Sequence, residues 1–210
     1  VVPVVAGGLG GVGTARGEIK TPNRVYGLDV SAWQGNISQA TWNTWKRAES
    51  LGGGGRDFVF IRASRGGTTG YYNQSVPNNT LGQNTLSQRY DVPYFVQNIT
   101  RATAAGMFAG PYHFGRPDII ETTKNSGGIA NTGTDEANHF LEQAGAYMRP
   151  GYLLPVFDLE AGRSERSSAA LTQFTMDFIN RIKEVKGFYP IIYAGPNYSN
   201  YVGTSVNVAP

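Results

Sequence analysis

The stretch 153-LLPVFDLEAG-162 closes an apolar run with Asp158 and Glu160, in a chain of 210 residues that carries only 15 acidic ones. In an extended strand, side chains two apart point to one face, with α-carbons roughly 6.5 to 7 Å apart. Two readings of the pair are open. They are either strand-end charges, solvated or paired with Arg163 or Arg166, or an acid/base pair. In the second case, repulsion between neighbouring carboxylates in a cleft raises at least one pKa toward neutrality, where a general acid works.

Outward from this stretch the chain alternates. Further strands are expected at 25–33 (VYGLDVSAW), 58–64 (FVFIRAS), 107–115 (MFAGPYHFG) and 189–195 (YPIIYAG), beside 153–161 itself. Helical stretches are expected at 38–52, with Ser38 as N-cap and Gly52 closing it, and at about 88–105, 134–148 and 167–185. The strand runs are apolar and β-branched, which reads as burial on both faces under covering helices. Strand and helix in alternation mean an α/β architecture, either a doubly wound sheet or a barrel.

Composition narrows the function. The chain is long enough for one sizeable core and, at 40% hydrophobic and 16% charged residues, reads as an ordinary globular protein. Its 28 glycines and 12% aromatics suit a loop-rich protein with a ring-lined cleft. A net charge of +3 favours approach to an anionic polymer such as a cell wall, but forms no basic stripe for nucleic acid. With no cysteine and only His113 and His139, neither thiolate nor zinc chemistry is expected, and no metal or other cofactor is called for. Residues 1–24, rich in Val and Gly, read as an arm or linker: a mature end after signal cleavage, a spacer, or a segment inside a larger chain. Their apolar run is too short and glycine-broken to span a membrane.

Asp29, Arg62, Tyr112 with His113, Asp158 with Glu160, and Tyr193 all fall near the C-terminal ends of the expected strands. In a barrel those ends converge on one mouth, which makes the recurrence a site signal. The motifs YGLDVSAWQG, FVFIRASRG, GPYHFGRPD, LLPVFDLEAG and YPIIYAGPN, in this order, resemble the successive strand motifs of glycoside hydrolase family 25, the Chalaropsis-type lysozymes, from about Val25 to Tyr198. The resemblance implies an irregular, TIM-like β/α barrel over 25–210 that hydrolyses the β-1,4 bond between N-acetylmuramic acid and N-acetylglucosamine in peptidoglycan. It implies Glu160 as proton donor, Asp158 as the carboxylate supporting the reacting sugar, Asp29 as the first-strand acid, and Tyr112 and Tyr193 flanking the cleft.

Two departures accompany it. The family usually has Glu-Gly after the second strand, where this sequence has Arg65 and Gly66. It also continues into further strands with a last-strand Asp, whereas this sequence ends at NYSNYVGTSVNVAP, so the C-terminal strands are expected to be absent from it. Cleavage of a glycosidic bond needs an acid for the leaving oxygen and stabilisation of an oxocarbenium-like centre, a task for two carboxylates. An N-acetyl group lets the substrate supply its own nucleophile, with retention of configuration. Arg62 and the rings of Trp33, Tyr112 and Tyr193 are expected to contact sugar. The expected partner is the peptidoglycan glycan strand, acted on by a monomeric domain, possibly of a larger chain, that is secreted or phage-delivered and works outside the cell or at its wall. The alternatives are a non-catalytic wall-binding domain on the same fold, and a glycosidase of another N-acetylated polymer such as chitin.

Overall fold

A computed structural model of the chain describes residues 24–68, 89–120, 131–162 and 165–195. Residues 1–23 of the expected arm, Arg163 and the C-terminal stretch from 196 onward lie outside the described residues. Six strands form one sheet: β1 (Gly27–Val30), β2 (Phe58–Arg65), β3 (Tyr90–Asp91), β4 (Phe108–Phe114), β5 (Val156–Leu159) and β6 (Ile191–Ala194). Among the described residues four α-helices intervene: α1 (Gln39–Lys46), α2 (Phe95–Ala104), α3 (Gly133–Ala144) and α4 (Ser168–Lys186).

The sheet order is β1-β2-β4-β5-β6, all parallel, with β3 added antiparallel to the end of β2. Apart from β3 the spatial order follows the chain order. A doubly wound sheet needs a point where that order reverses, so the doubly wound alternative falls away. The result is a mixed α/β fold whose parallel sheet curls into a half-barrel.

Local chemistry explains the helix bounds. Ser38, Thr132 and Ser167 cap α1, α3 and α4, each accepting a backbone N–H three residues on through its side-chain oxygen at 3.1 to 3.2 Å. Gly187, at φ 83°, ends α4 in the left-handed conformation, and the Lys183 ammonium donates to its carbonyl at 2.9 Å. The helix expected over 38–52 stops at Lys46, and Gly52 closes a separate 3-10 turn at Glu49–Leu51. The stretch expected as helix from 88 turns helical only at Phe95, because Tyr90 and Asp91 pair instead with Arg65 and Ser64. A two-residue strand has too little periodicity to announce itself.

The core lies between the sheet and the helices. Val59 and Ile61 of β2, and Phe157 and Leu159 of β5, are buried on that side. Phe157 stacks on Phe178 of α4 at 3.8 Å, nearly parallel. Each fully buried side chain of this size contributes about 1.5–3 kcal/mol. Burial on both faces was expected and does not hold. Phe58 and Phe60, alternating with Val59 and Ile61, face the side without helices and are only partly buried, and Phe108 is 64% exposed.

Candidate active site

Strand alternation builds the site on the face opposite the helices. On β5, Phe157 and Leu159 point into the core, so Asp158 and Glu160 share the other face. Register then brings partners alongside. Asp158 stands beside Phe114 of β4 and Tyr193 of β6, and Arg62 of β2 beside Tyr112. Asp29, Tyr112, Asp158 and Tyr193 line one groove of about 760 Å³, whose remaining wall is apolar and includes Phe58, Phe60 and Leu153.

Two phenols hold two carboxylates. Tyr112 donates to Asp29 and Tyr193 to Glu160. Burial, then the Asp29 charge, pushes the Tyr112 hydroxyl well above its ordinary range, and the Glu160 charge raises Tyr193. Both phenols therefore remain proton donors at any working pH. Asp29 is itself raised, by desolvation first and by Glu160 last, while Tyr112 and Arg62 pull it down.

Asp158 is the most perturbed carboxyl of the groove. Burial, followed by the charges of Glu160 and Asp29, pushes it up to about 8, against the downward pull of Arg62. Its Oδ1 is buried with no hydrogen-bond partner among the described residues. Glu160, two positions on, is solvent-exposed. The pair thus sets a desolvated carboxyl beside a solvent-exposed one. Near neutral pH Asp158 therefore holds its proton.

The strand-end reading names Arg166 as a partner of these charges. Its guanidinium donates to the carbonyls of Pro117, Ile119 and Asn131 at 2.6 to 3.1 Å and stacks on Phe174. Trp33 sits in a 3-10 turn directly after β1, 70% exposed, and is not part of the groove wall. A capping box fixes the turn, with the Ser31 N–H donating to Gln34 Oε1 at 2.7 Å.

His113 does not join the mouth as expected. It follows Tyr112 on the strand and so points the other way, into the helix side, fully buried. There it lies 2.8 Å from Ser64 Oγ through Nδ1 and 3.0 Å from Glu136 Oε2 through Nε2. Burial lowers His113 well below the usual histidine range and raises Glu136 to about 8. Glu136 also accepts the Arg116 backbone N–H at 2.9 and 3.1 Å and the Asn131 amide. This network anchors the end of β4 behind the groove. Sequence reasoning missed Ser64, Asn131 and Glu136, and no local signal marks a carboxylate on a helix as the partner of a strand histidine.

Residues 81–209 match the family described as glycosyl hydrolases family 25. Lysozyme M1 of Streptomyces globisporus is 29% identical over 182 residues, covering 84% of this chain and 48% of that protein. The N,O-diacetylmuramidase of Chalaropsis sp is 28% identical over 188 residues, covering 86% and 71%. The crystal structure of the bacterial lysozyme from Streptomyces coelicolor aligns with a TM-score of 0.60 at 26% identity, over 86% of this chain and 67% of that one. The chain thus spans about half the length of Lysozyme M1.

Proposed function

The chain belongs to glycosyl hydrolases family 25, and from that premise we propose that it is a muramidase cleaving the β-1,4 bond between N-acetylmuramic acid and N-acetylglucosamine of peptidoglycan. The observation that carries this reading is the Asp158–Glu160 pair on one face of the β5 strand end, with Asp158 lining a groove beside Asp29, Tyr112 and Tyr193 and the Tyr193 hydroxyl donating to Glu160. The lysozyme and muramidase names of its relatives support the substrate.

Glu160 protonates the leaving oxygen as the glycosidic bond breaks. Both carboxylates approach from one side, so the attacking group comes from the other. The acetamido oxygen of the muramic acid is placed to do this, forming a bond to the anomeric carbon while Asp158 accepts the acetamido N–H. The positive charge that develops on the ring and acetamide favours the ionised form of Asp158, and Arg62 favours it too. The Tyr193 hydroxyl stabilises the carboxylate left on Glu160. Glu160 then takes a proton from an incoming water, which opens the intermediate from the first face, and the product keeps its configuration. Arg62, Trp33 and the two tyrosines bind the flanking sugars. The half-barrel belongs to an irregular β/α barrel over 25–210, working as a monomeric, secreted or phage-delivered domain on the wall. Among the described residues no helix is long and apolar enough to cross a membrane.

The test is turbidity clearing of bacterial walls with analysis of the released reducing ends. Clearing with muramic acid at the new ends is expected, and Glu160→Gln should lower turnover by about 100-fold or more with wall binding retained. Binding without clearing by the unaltered chain would identify a wall-binding domain. New ends on N-acetylglucosamine would reassign the bond.

A further inference from the structure

β5 ends at Leu159, which pairs with Ala194 of β6, so Glu160 stands one residue past the last rung of the ladder. A reacting group works only when kept within about 0.5 Å of its productive place, so a side chain there needs a further hold. The loop that leaves β4 supplies one. The Gly115 N–H donates to the Asp158 carbonyl at 2.8 Å, two residues before Glu160. Gly162, two residues after it, packs so closely on Asp118 that a β-carbon there would run into the Asp118 backbone. Both ends of the segment that carries Glu160 therefore rest on the loop 115–118.

That loop is held in turn from behind. The Arg116 N–H, next along the chain from Gly115, donates to the Glu136 carboxyl of α3 at 2.9 and 3.1 Å. Glu136 is fully buried, and its place is fixed by His113 at 3.0 Å and by the Asn131 amide, which also donates to the Arg116 carbonyl at 3.1 Å. Consecutive N–H groups of one loop thus tie β5 to α3. Arg166 grips the far end of the loop, donating to the Pro117 and Ile119 carbonyls at 2.6 and 3.1 Å and to that of Asn131 at 2.6 Å. Asn131 joins the two grips, bonding Glu136 through its side chain and Arg166 through its carbonyl.

We propose that Glu136 and Arg166 are positioning residues for the proton donor: they hold the loop 115–119 against both ends of the segment 158–162, and so fix where the Glu160 carboxyl stands. The inference rests on the muramidase reading and adds to it two side chains that do not line the groove. Glu136 acts as an acceptor. Without it the Arg116 N–H loses its partner and the loop shifts to find another. A displacement of about 1 Å at a reacting group costs on the order of 100-fold in rate. Sugar binding depends on the groove wall rather than on this loop, so affinity should not follow.

Steady-state kinetics on solubilised wall fragments test this, with turnover expressed per folded molecule from urea melts. Glu136→Ala should lower kcat by about tenfold or more with KM within about twofold, as when an interaction felt only in the transition state is lost. Glu136→Gln keeps an oxygen for the Arg116 N–H and should retain most of the turnover. Arg166→Met should act like Glu136→Ala, and Arg166→Lys should recover part. A merely structural role lowers the folded fraction and leaves turnover per folded molecule unchanged. That result in either folded variant overturns the inference, as does a raised KM at constant kcat or a Glu136→Gln as slow as Glu136→Ala. Where Glu136→Ala does not fold, the Arg166 pair carries the comparison. In the unaltered chain the Gly115 and Arg116 amides should exchange with deuterium as slowly as those of β4, and exchange as fast as in open loops overturns the brace whether or not any variant folds. Walls left uncleared by the unaltered chain overturn the muramidase reading instead, and amide exchange still decides the brace.

Discussion

The proton of the Asp158–Glu160 pair is the quantity on which residue-scale chemistry turns. The sequence placed both carboxylates on one face by their spacing alone, and the structure keeps them there. Their unequal surroundings came only with the fold, since Asp158 lies under neighbouring strands while Glu160 reaches water. Activity is expected to follow a bell in pH. Both limbs belong to the coupled pair rather than to either residue. The pH dependence of kcat/KM on solubilised wall fragments measures this, and a rate still rising past about pH 9 would exclude a carboxyl as the proton donor. The tyrosines at Tyr112 and Tyr193 were legible as strand-end residues. That each serves as a donor to a particular carboxylate was not, because those bonds join strands far apart in the chain.

At the scale of elements, close packing between helices supports the sheet. Gly133, the first residue of α3, sits so near α4 that a β-carbon there would run into the Phe174 carbonyl. Gly133→Ala should therefore destabilise the protein by about 1–3 kcal/mol, as overpacking does, read as a lower midpoint in urea with an unchanged slope. Strand positions were readable from runs of Val, Ile and Phe. The register shift of β2 against β4 between Arg62 and Ser64, a bulge, was not, because nothing in FVFIRASR distinguishes a continued alternation from one with an extra residue. The bulge sets the direction of both Ser64 and Arg65. The antiparallel pairing of Tyr90 and Asp91 escaped for a related reason, as two residues acquire strand character only from the partner they meet.

Over the whole molecule, buried titrating groups link stability to pH. An unfolded carboxyl releases its proton near pH 4, whereas Asp158 and Glu136 hold theirs in the folded protein to about pH 8. Between those values the folded state binds more protons, so stability falls as pH rises. His113 acts in the opposite sense below pH 6.5, because its folded form resists the proton that the unfolded chain takes up. The net expectation is a melting temperature that declines from about pH 6.5 to about pH 8. Asp158→Asn and Glu136→Gln should each flatten that decline. Slopes unchanged in both variants would mean that neither carboxyl holds its proton through this range.

The groove face carries a second molecular-scale expectation. Phe108 is 64% and Ile191 42% exposed, beside the partly open Phe58 and Phe60. An apolar dye should bind the folded protein, with near-ultraviolet dichroism retained to distinguish this from a loosened state. Phe108→Ser should reduce dye fluorescence while changing stability by no more than about 1 kcal/mol.

The amino-acid sequence by itself determined the alternation of strands and helices, the strand ends that carry polar groups, and the shared face of Asp158 and Glu160. These are consequences of local periodicity: two residues per repeat in a strand, 3.6 in a helix. Tertiary structure alone decided the order of the strands, and with it the choice against a doubly wound sheet. It also decided the turning of His113 toward Glu136, the register shift in β2 between Arg62 and Ser64, and the proton affinity of Asp158. Each depends on what stands opposite a residue from a distant part of the chain, and neither register nor desolvation is written in the neighbours along the sequence.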